Sequence, residues 1–316
     1  MSDLYPLLMR TFFDPRPWGA RDLAPIYDFH VHPGEESIGE AWLTWDNCEV
    51  ANGPLAGTKL GDLCKRFGRE LVGATAREAE RYPLLIKFLF PHDKLSVQVH
   101  PDDETARRHG EPCGKTECWY VVDARENAQV ALGLKGGTTR EAFEQSIHAN
   151  RAEELLNWIG LSAGDMIYVD AGTVHTLGAG AIILETQQNS DTTYRLYDYG
   201  RPRELHIRDG MEAMKERTAA GKIRPSQIQP GHELLIETDC FTVERFVLSE
   251  PKRFASEAGR HAQNLVAVDG CGVVEAAGCE PVMFQRGEAV VIPASVGVFR
   301  VRPQWQLEML RSVANR

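Results

Sequence analysis

The chain has 316 residues, of which 43% are hydrophobic and 25% charged, and 45 acidic against 35 basic side chains give it a formal net charge of −10. This composition excludes disordered, collagen-like and disulfide-dependent small-scaffold classes, and the length allows one or two domains with enough core to hold a rigid cleft. The negative charge argues against a nucleic-acid surface or a basic membrane patch, so any phosphorylated ligand must be met by a few local cations. No apolar run reaches the roughly 18 residues that a membrane helix needs, and the first residues lack a secretory pattern, so the expected location is cytoplasmic. The seven cysteines contain no C-x-x-C pair, so neither a disulfide framework nor a thiolate zinc site is expected.

In chain order, the first sixty residues are short segments punctuated by Pro and Gly, which favours strands and turns. Residues 60–82 carry Leu60, Leu63, Cys64, Phe67, Leu71 and Val72 at helical spacing and predict one or two helices. LLIKFLF (84–90) is a continuous apolar run of strand length, LSVQVH (95–100) alternates with period two, and ECWYVV and AQVALGL predict two further strands. A second helical insertion is expected over 138–160, capped by Thr138 or Thr139 and continuing through RAEELLNWIG. Then come β-rich segments, a strand and short helix in RELHIRDGMEAMKERTAAG, and a polar linker, KIRPSQIQPGHE. Residues 230–316 read as short strands and turns. The chain is thus expected to be mainly β, with domain 1–225 carrying the helical insertions and a smaller all-β domain over 226–316.

Strand geometry groups the polar residues. Ser96, Gln98 and His100 are two apart and project from one strand face, joined by Lys94 if the strand starts early, while Val97 and Val99 face the other way. Lys115 and Glu117 share a face in the same manner, and His175 follows a glycine turn in AGTVH. Two imidazoles, one carboxylate and one amide suit zinc or another divalent ion. His30 and His32 form an H-x-H pair, but no further ligand follows at motif spacing; they and the remaining histidines are read as surface or structural.

The motifs PLLIKFL…LSVQVHPDDE (83–104), GKTECWYV (114–121), AGTVHTLG (171–178) and ETQQNSDTTYRLYDYGR (185–201) resemble the type I mannose-6-phosphate isomerases, nearest their short bacterial branch. PWG (17–19), IGEAW (38–42) and VANGPLAG (50–57) resemble the family's amino-terminal segments. The resemblance implies a pair of cupin-like β-barrels, with one zinc ion held by Gln98, His100, Glu117 and His175, and an active-site Arg195, Lys115 and Glu185. It fades beyond residue 230. There RGEAVVIPAS (286–295) resembles a cupin signature without its histidine, so the second barrel is expected to be metal-free. Leu43, Thr44 and Trp45 depart from the Glu-Ile-Ser found in many short-branch members.

The implied reaction interconverts mannose 6-phosphate and fructose 6-phosphate through an enediol, with a metal polarising the carbonyl and a base within reach. Glu185 is expected to act as the base, ahead of Lys115; the alternative for Glu185 is a strand-end salt bridge to Arg195. Arg195 would stabilise the enediolate. Lys94 and Ser96, with Arg201 and Arg203 nearby, are candidates for phosphate binding. Zinc, Arg195 and lysines should then form a locally positive cup in a negative surface. Two rivals are an iron-dependent cupin dioxygenase, disfavoured by Gln98 and the polar strand face, and a non-catalytic sugar-phosphate-binding cupin, which has no need of a Lewis acid.

Overall fold

A computed structural model of the chain describes residues 3–255 and 260–315. The fold is mainly β and is built from three antiparallel sheets. One has the strand order Gly221–Ile223, Met166–Val169, Glu117–Ala124, Ala181–Gln188, Leu84–Leu89, Ile38–Thr44 and Phe12–Ala20. Facing it is a five-stranded sheet in the order Tyr194–Tyr197, Val97–Val99, His175–Leu177, Gln129–Leu134 and Leu156–Gly160. Val121, Ile167 and Ile183 from the first and Val130, Leu132 and Leu177 from the second share a core between them. The third sheet is built mostly from residues after 226, around Phe246, Leu265, Val290 and Phe299.

The inner strands of the seven-stranded sheet are covered on both faces, which is why they read as continuous apolar runs. Ile86, Phe88 and Leu184 pack outward against Val243, Val266 and Leu310 of the third sheet and against Leu60, Leu63 and Leu71. On the inner side, Lys87 and Leu89 face the cleft. The outer face of the five-stranded sheet is closed by Phe143 and Ile147 of the helix Arg140–His148 and by Met211 and Ala213 of the helix Ile207–Ala213.

Several expected elements change. Over 60–82 the helices are short, Leu60–Phe67 and Arg69–Val72, divided at Gly68 with φ +50°. The chain after Gly73 is irregular because it passes tightly against the third sheet: a Cβ at Gly73 would lie 2.2 Å from the Arg260 carbonyl oxygen. Thr139 Oγ1 accepts from the Ala142 N–H at 3.2 Å, capping the second helical insertion as expected. That helix ends at His148, however, and the expected continuation is a 3₁₀ turn, Ala152–Leu155, and a strand, Leu156–Gly160. The ladder to Gln129–Leu134 offers its backbone more partners than a solvent-exposed helix end would. RELH forms no strand before the helix Ile207–Ala213. The expected polar linker is two short strands: Gly221–Ile223 pairs with Met166–Val169, whereas Ser226–Gln229 pairs with His232–Glu237 of the third sheet. At the other end of the chain, Leu7–Leu8 pairs with Val290 and Val291, so the amino-terminal residues edge the third sheet. Among the described residues no helix is long and apolar enough to cross a membrane, and all seven cysteines are free.

Candidate metal centre and its cavity

Backbone register brings the distant motifs together. Gln98 sits on a central strand with His175 as its ladder partner on one side and Arg195 on the other. Glu117 comes from the opposite sheet, paired between Gln187 and Val169. His100 lies one residue past its strand, and the Gly172 N–H donates to the His100 carbonyl at 2.9 Å. Gly172 adopts φ +91°, a conformation suited to glycine, and so turns the chain toward His175.

Each imidazole is oriented from behind. His100 Nδ1 donates to the Thr192 carbonyl and His175 Nδ1 to the Thr173 carbonyl, both at 2.9 Å. A carbonyl only accepts, so each ring carries its proton on Nδ1 and presents the Nε2 lone pair to the centre. There His100 Nε2 lies 3.6 Å and His175 Nε2 3.3 Å from the Glu117 carboxylate oxygens. His100 Nε2 and both Glu117 oxygens are buried without a hydrogen bond, and Lys115 Nζ is an ion-pair partner 3.3 Å from Glu117 Oε2. Three inward-facing donors, with ligand atoms all within 4.8 Å of one another, fit a divalent cation that would satisfy the orphaned atoms. Gln98 is adjacent, but its Nε2 faces His175 Nε2 at 3.2 Å and its Oε1 accepts from Ser96 Oγ at 3.1 Å. The amide must flip to offer oxygen to a cation.

Burial sets the protonation of these groups. It lowers His175 to about 4, and burial aided by the Lys115 charge holds His100 well below the ordinary imidazole value, so both are neutral ligands at pH 7. Burial raises the Glu117 carboxyl well above its usual range, outweighing the opposing effect of Lys115. A cation would compete with protonation of Glu117, so metal affinity should fall as pH drops. Calorimetric titration in two buffers of different ionisation enthalpy is expected to show proton release on binding. A buffer-independent enthalpy would contradict it.

A cavity of about 380 Å³ opens above the cluster, a size suited to a small metabolite. His175, Gln98, Ser96, Lys115, Glu185 and Arg195 line it. Lys94 does not: its Nζ pairs with Glu153 at 2.7 Å, although Leu95 and Ser96, between it and the strand Val97–Val99, do line the cavity. Arg203 lines the cavity while held by Asp198 through two bonds of 2.7 Å, whereas Arg201 is tied to Asp198 and the Lys94 carbonyl and lies outside its wall. Arg195 donates to the Glu204 carbonyl at 2.9 Å.

Glu185 corrects the alternative weighed for it. It lies within its strand, with Trp119 Nε1 donating to Oε1 at 3.0 Å and Lys87 Nζ 3.3 Å from Oε2, so its ion-pair partner is Lys87 and not Arg195. Burial alone would raise its carboxyl, but Lys87 and Lys115 hold it at about 2. Lys87, Glu40, Arg16 and Asp191 also line the cavity and went unrecognised in the sequence. The signal for Lys87 was a lysine inside an otherwise apolar strand, which requires a buried counter-charge. The lining carries five cationic side chains, Arg16, Lys87, Lys115, Arg195 and Arg203, against three carboxylates, Glu40, Glu185 and Asp191. The cup is thus positive within a protein of charge −10.

An antiparallel double-sheet barrel with two imidazoles and a carboxylate converging beside a polar cup defines a protein of the cupin type with a cluster that could hold a metal ion. Residues 11–145 match the family model for phosphomannose isomerase type I, catalytic domain. The chain is 34% identical to mannose-6-phosphate isomerase ManA of Bacillus subtilis, across 94% of this chain and 95% of that one. It is 32% identical to the mannose-6-phosphate isomerase of Streptococcus mutans, across 98% of both. The crystal structure of the Bacillus subtilis mannose 6-phosphate isomerase superposes with a TM-score of 0.85 at 29% identity, covering 97% of this chain and 99% of that one. The chain belongs to the type I phosphomannose isomerase family, a family of aldose–ketose isomerases.

Proposed function

We infer that this protein interconverts mannose 6-phosphate and fructose 6-phosphate, in the cytoplasm, with one zinc ion held by His100, Glu117, His175 and the flipped amide of Gln98. The observation that carries the reading is the set of orphaned donors, His100 Nε2 and the two Glu117 oxygens, clustered with His175, which lines the positive cavity beside them. When bound, the cation supplies Lewis acidity toward the substrate carbonyl, with only one anionic ligand to dampen it.

The chain's own groups do the rest. Arg195, half-buried on the strand beside Gln98, offers a fixed positive charge to the enediolate. Glu185 is a poor base where it stands, since a carboxyl held at about 2 binds a proton weakly and both of its oxygens are engaged. We therefore assign the proton transfer between C1 and C2 to Lys115, whose Nζ lines the cavity beside the metal cluster, and give Glu185 the role of anchoring Lys87. Ser96 and Arg203 remain as phosphate contacts, without Lys94. We also divide the chain near residue 225 into a catalytic barrel and a metal-free one, supported by the change of sheet between Ile223 and Ser226.

An isomerase assay coupled to detection of fructose 6-phosphate is expected to show activity that disappears on chelation and returns with zinc, and no activity in a metal-replete Lys115→Met variant. Turnover surviving complete metal removal would sink the metal mechanism, and an active Lys115→Met variant would sink the lysine assignment. Oxygen consumption with iron bound and no isomerisation would favour the dioxygenase.

A further inference from the structure

The strand Phe12–Ala20 does not run continuously along its neighbour. Phe12, Phe13 and Asp14 pair with Trp42, Ala41 and Glu40, and then Pro15 and Ala20 both fall opposite Ile38. Residues 16–19 therefore bulge away from this one neighbour toward the cavity, where Arg16, Pro17 and Trp18 form part of the wall, while the Arg16 N–H still donates to the Ser37 carbonyl, the Trp18 carbonyl accepts from the His92 and Asp93 N–H groups, and Gly19 bridges Pro91. Pro15 and Pro17 have no N–H to give to a ladder, which suits an excursion. The two glycines beside it are steric requirements. A Cβ at Gly19 would lie 2.4 Å from the Ile38 carbonyl carbon, and one at Gly39 would lie 2.4 Å from Arg16 Cβ.

What clasps this loop is a carboxylate that the isomerase chemistry above does not use. Arg16 Nη2 lies 2.7 Å from Asp14 Oδ2 and 3.2 Å from Glu40 Oε2. The same Glu40 oxygen accepts from Trp42 Nε1 at 2.7 Å, and Glu40 Oε1 is 3.4 Å from Lys87 Nζ, which in turn meets Glu185. Glu40 is 7% exposed, and burying an anion is costly unless it is paired on more than one side. Burial pushes its carboxyl up, but Lys87 and Arg16 together hold it below the ordinary value, so it is ionised and joins a cation at the rim to a cation in the wall.

We propose that Glu40 is a positioning residue that holds the rim loop and the buried Lys87 in one arrangement, so that the mouth admitting an anionic sugar phosphate and the charge of the wall behind it are set together. This rests on the isomerase reading. Loosening the rim through Arg16 should affect substrate capture, whereas loss of Glu40 should loosen both Arg16, left with Asp14, and Lys87, left with Glu185.

The test is a double-mutant cycle on the zinc-loaded full chain, with metal content and the KM and kcat for mannose 6-phosphate measured together. Arg16→Met is expected to raise KM by about tenfold with kcat within about twofold, and Arg16→Lys to recover part of that loss. Glu40→Gln should raise KM by a similar factor and lower kcat by about tenfold at parental zinc content, and the double variant should have a KM well below the product of the two single effects, because the Glu40 side of the clasp is already lost and only Asp14 still holds Arg16. KM increases that multiply in the double variant, or a parental KM in Arg16→Met, would overturn the proposal. If Glu40→Gln does not fold, the Arg16→Met and Arg16→Lys pair decides: a raised KM with recovery by lysine supports the clasp, and a parental KM overturns it. A parent protein without isomerase activity would defeat the functional reading and this proposal with it. An active parent with multiplying effects defeats the proposal alone.

Discussion

Replacing His100 with alanine is expected to strip the metal and abolish isomerisation, whereas Arg195→Ala abolishes turnover and leaves the metal in place. His100 supplies one of three buried donors, and its Nδ1 bond to the Thr192 carbonyl commits Nε2 to the centre, so truncation removes a ligand that no neighbour can replace. Turnover should fall by about a thousandfold or more, together with zinc content. Arg195 contacts none of the three donors; it is fixed by the Glu204 carbonyl and faces the cavity. Its loss should lower kcat by about a hundred- to a thousandfold, the range for removal of a group that meets developing negative charge. Metal analysis beside the coupled assay separates the two roles. Equal zinc loss in both variants would make Arg195 structural.

The second large effect is on stability. Lys87→Met should destabilise the protein by about 3–5 kcal/mol, because it leaves Glu40 and Glu185 buried without their shared cation. Lys87 is 3% exposed, so what water reaches it through the cavity replaces little of the lost charge. The pH dependence supplies a sign to check. In the parent, Glu185 is depressed from 4.5 to about 2, so its contribution is present above pH 4.5 and is lost as pH falls from there through about 2. Without Lys87, only Lys115, Trp119 and Glu117 oppose burial at that carboxyl, so the variant should lose less stability than the parent as pH falls below 4.5. Urea unfolding at several pH values tests both statements. A companion variant with Glu40→Gln, Lys87→Met and Glu185→Gln should regain much of the loss, since neutral buried groups cost less than unpaired charges. A Lys87→Met protein as stable as the parent would show that water or rearrangement neutralises the pair.

Much of the site was legible because a strand alternates with period two. Ser96, Gln98 and His100, with Val97 and Val99 behind them, needed no tertiary information to be assigned to one polar face. Lys94 escaped the same rule because its ammonium is drawn to Glu153, a partner remote in sequence. The segment 156–160 was misread for a related reason. Its apolar spacing fits either period, and the open edge of Gln129–Leu134 chooses the strand. The family's motifs reached Glu185 and Arg195, but no spacing tells which cation meets a carboxylate across a sheet.

Local sequence thus dictated the mainly β architecture and the polar strand face of Gln98, since each follows from side-chain type and backbone periodicity. What awaited the folded chain was the pairing of charges. Lys87 looks like an interruption in an apolar run until residues 40 and 185 arrive on either side of it. Glu185 looks like a free base until Lys87 and Trp119 engage both of its oxygens. Electrostatic energy depends on distances between residues that are remote in sequence and on the water excluded around them, and both are set only when the sheets close.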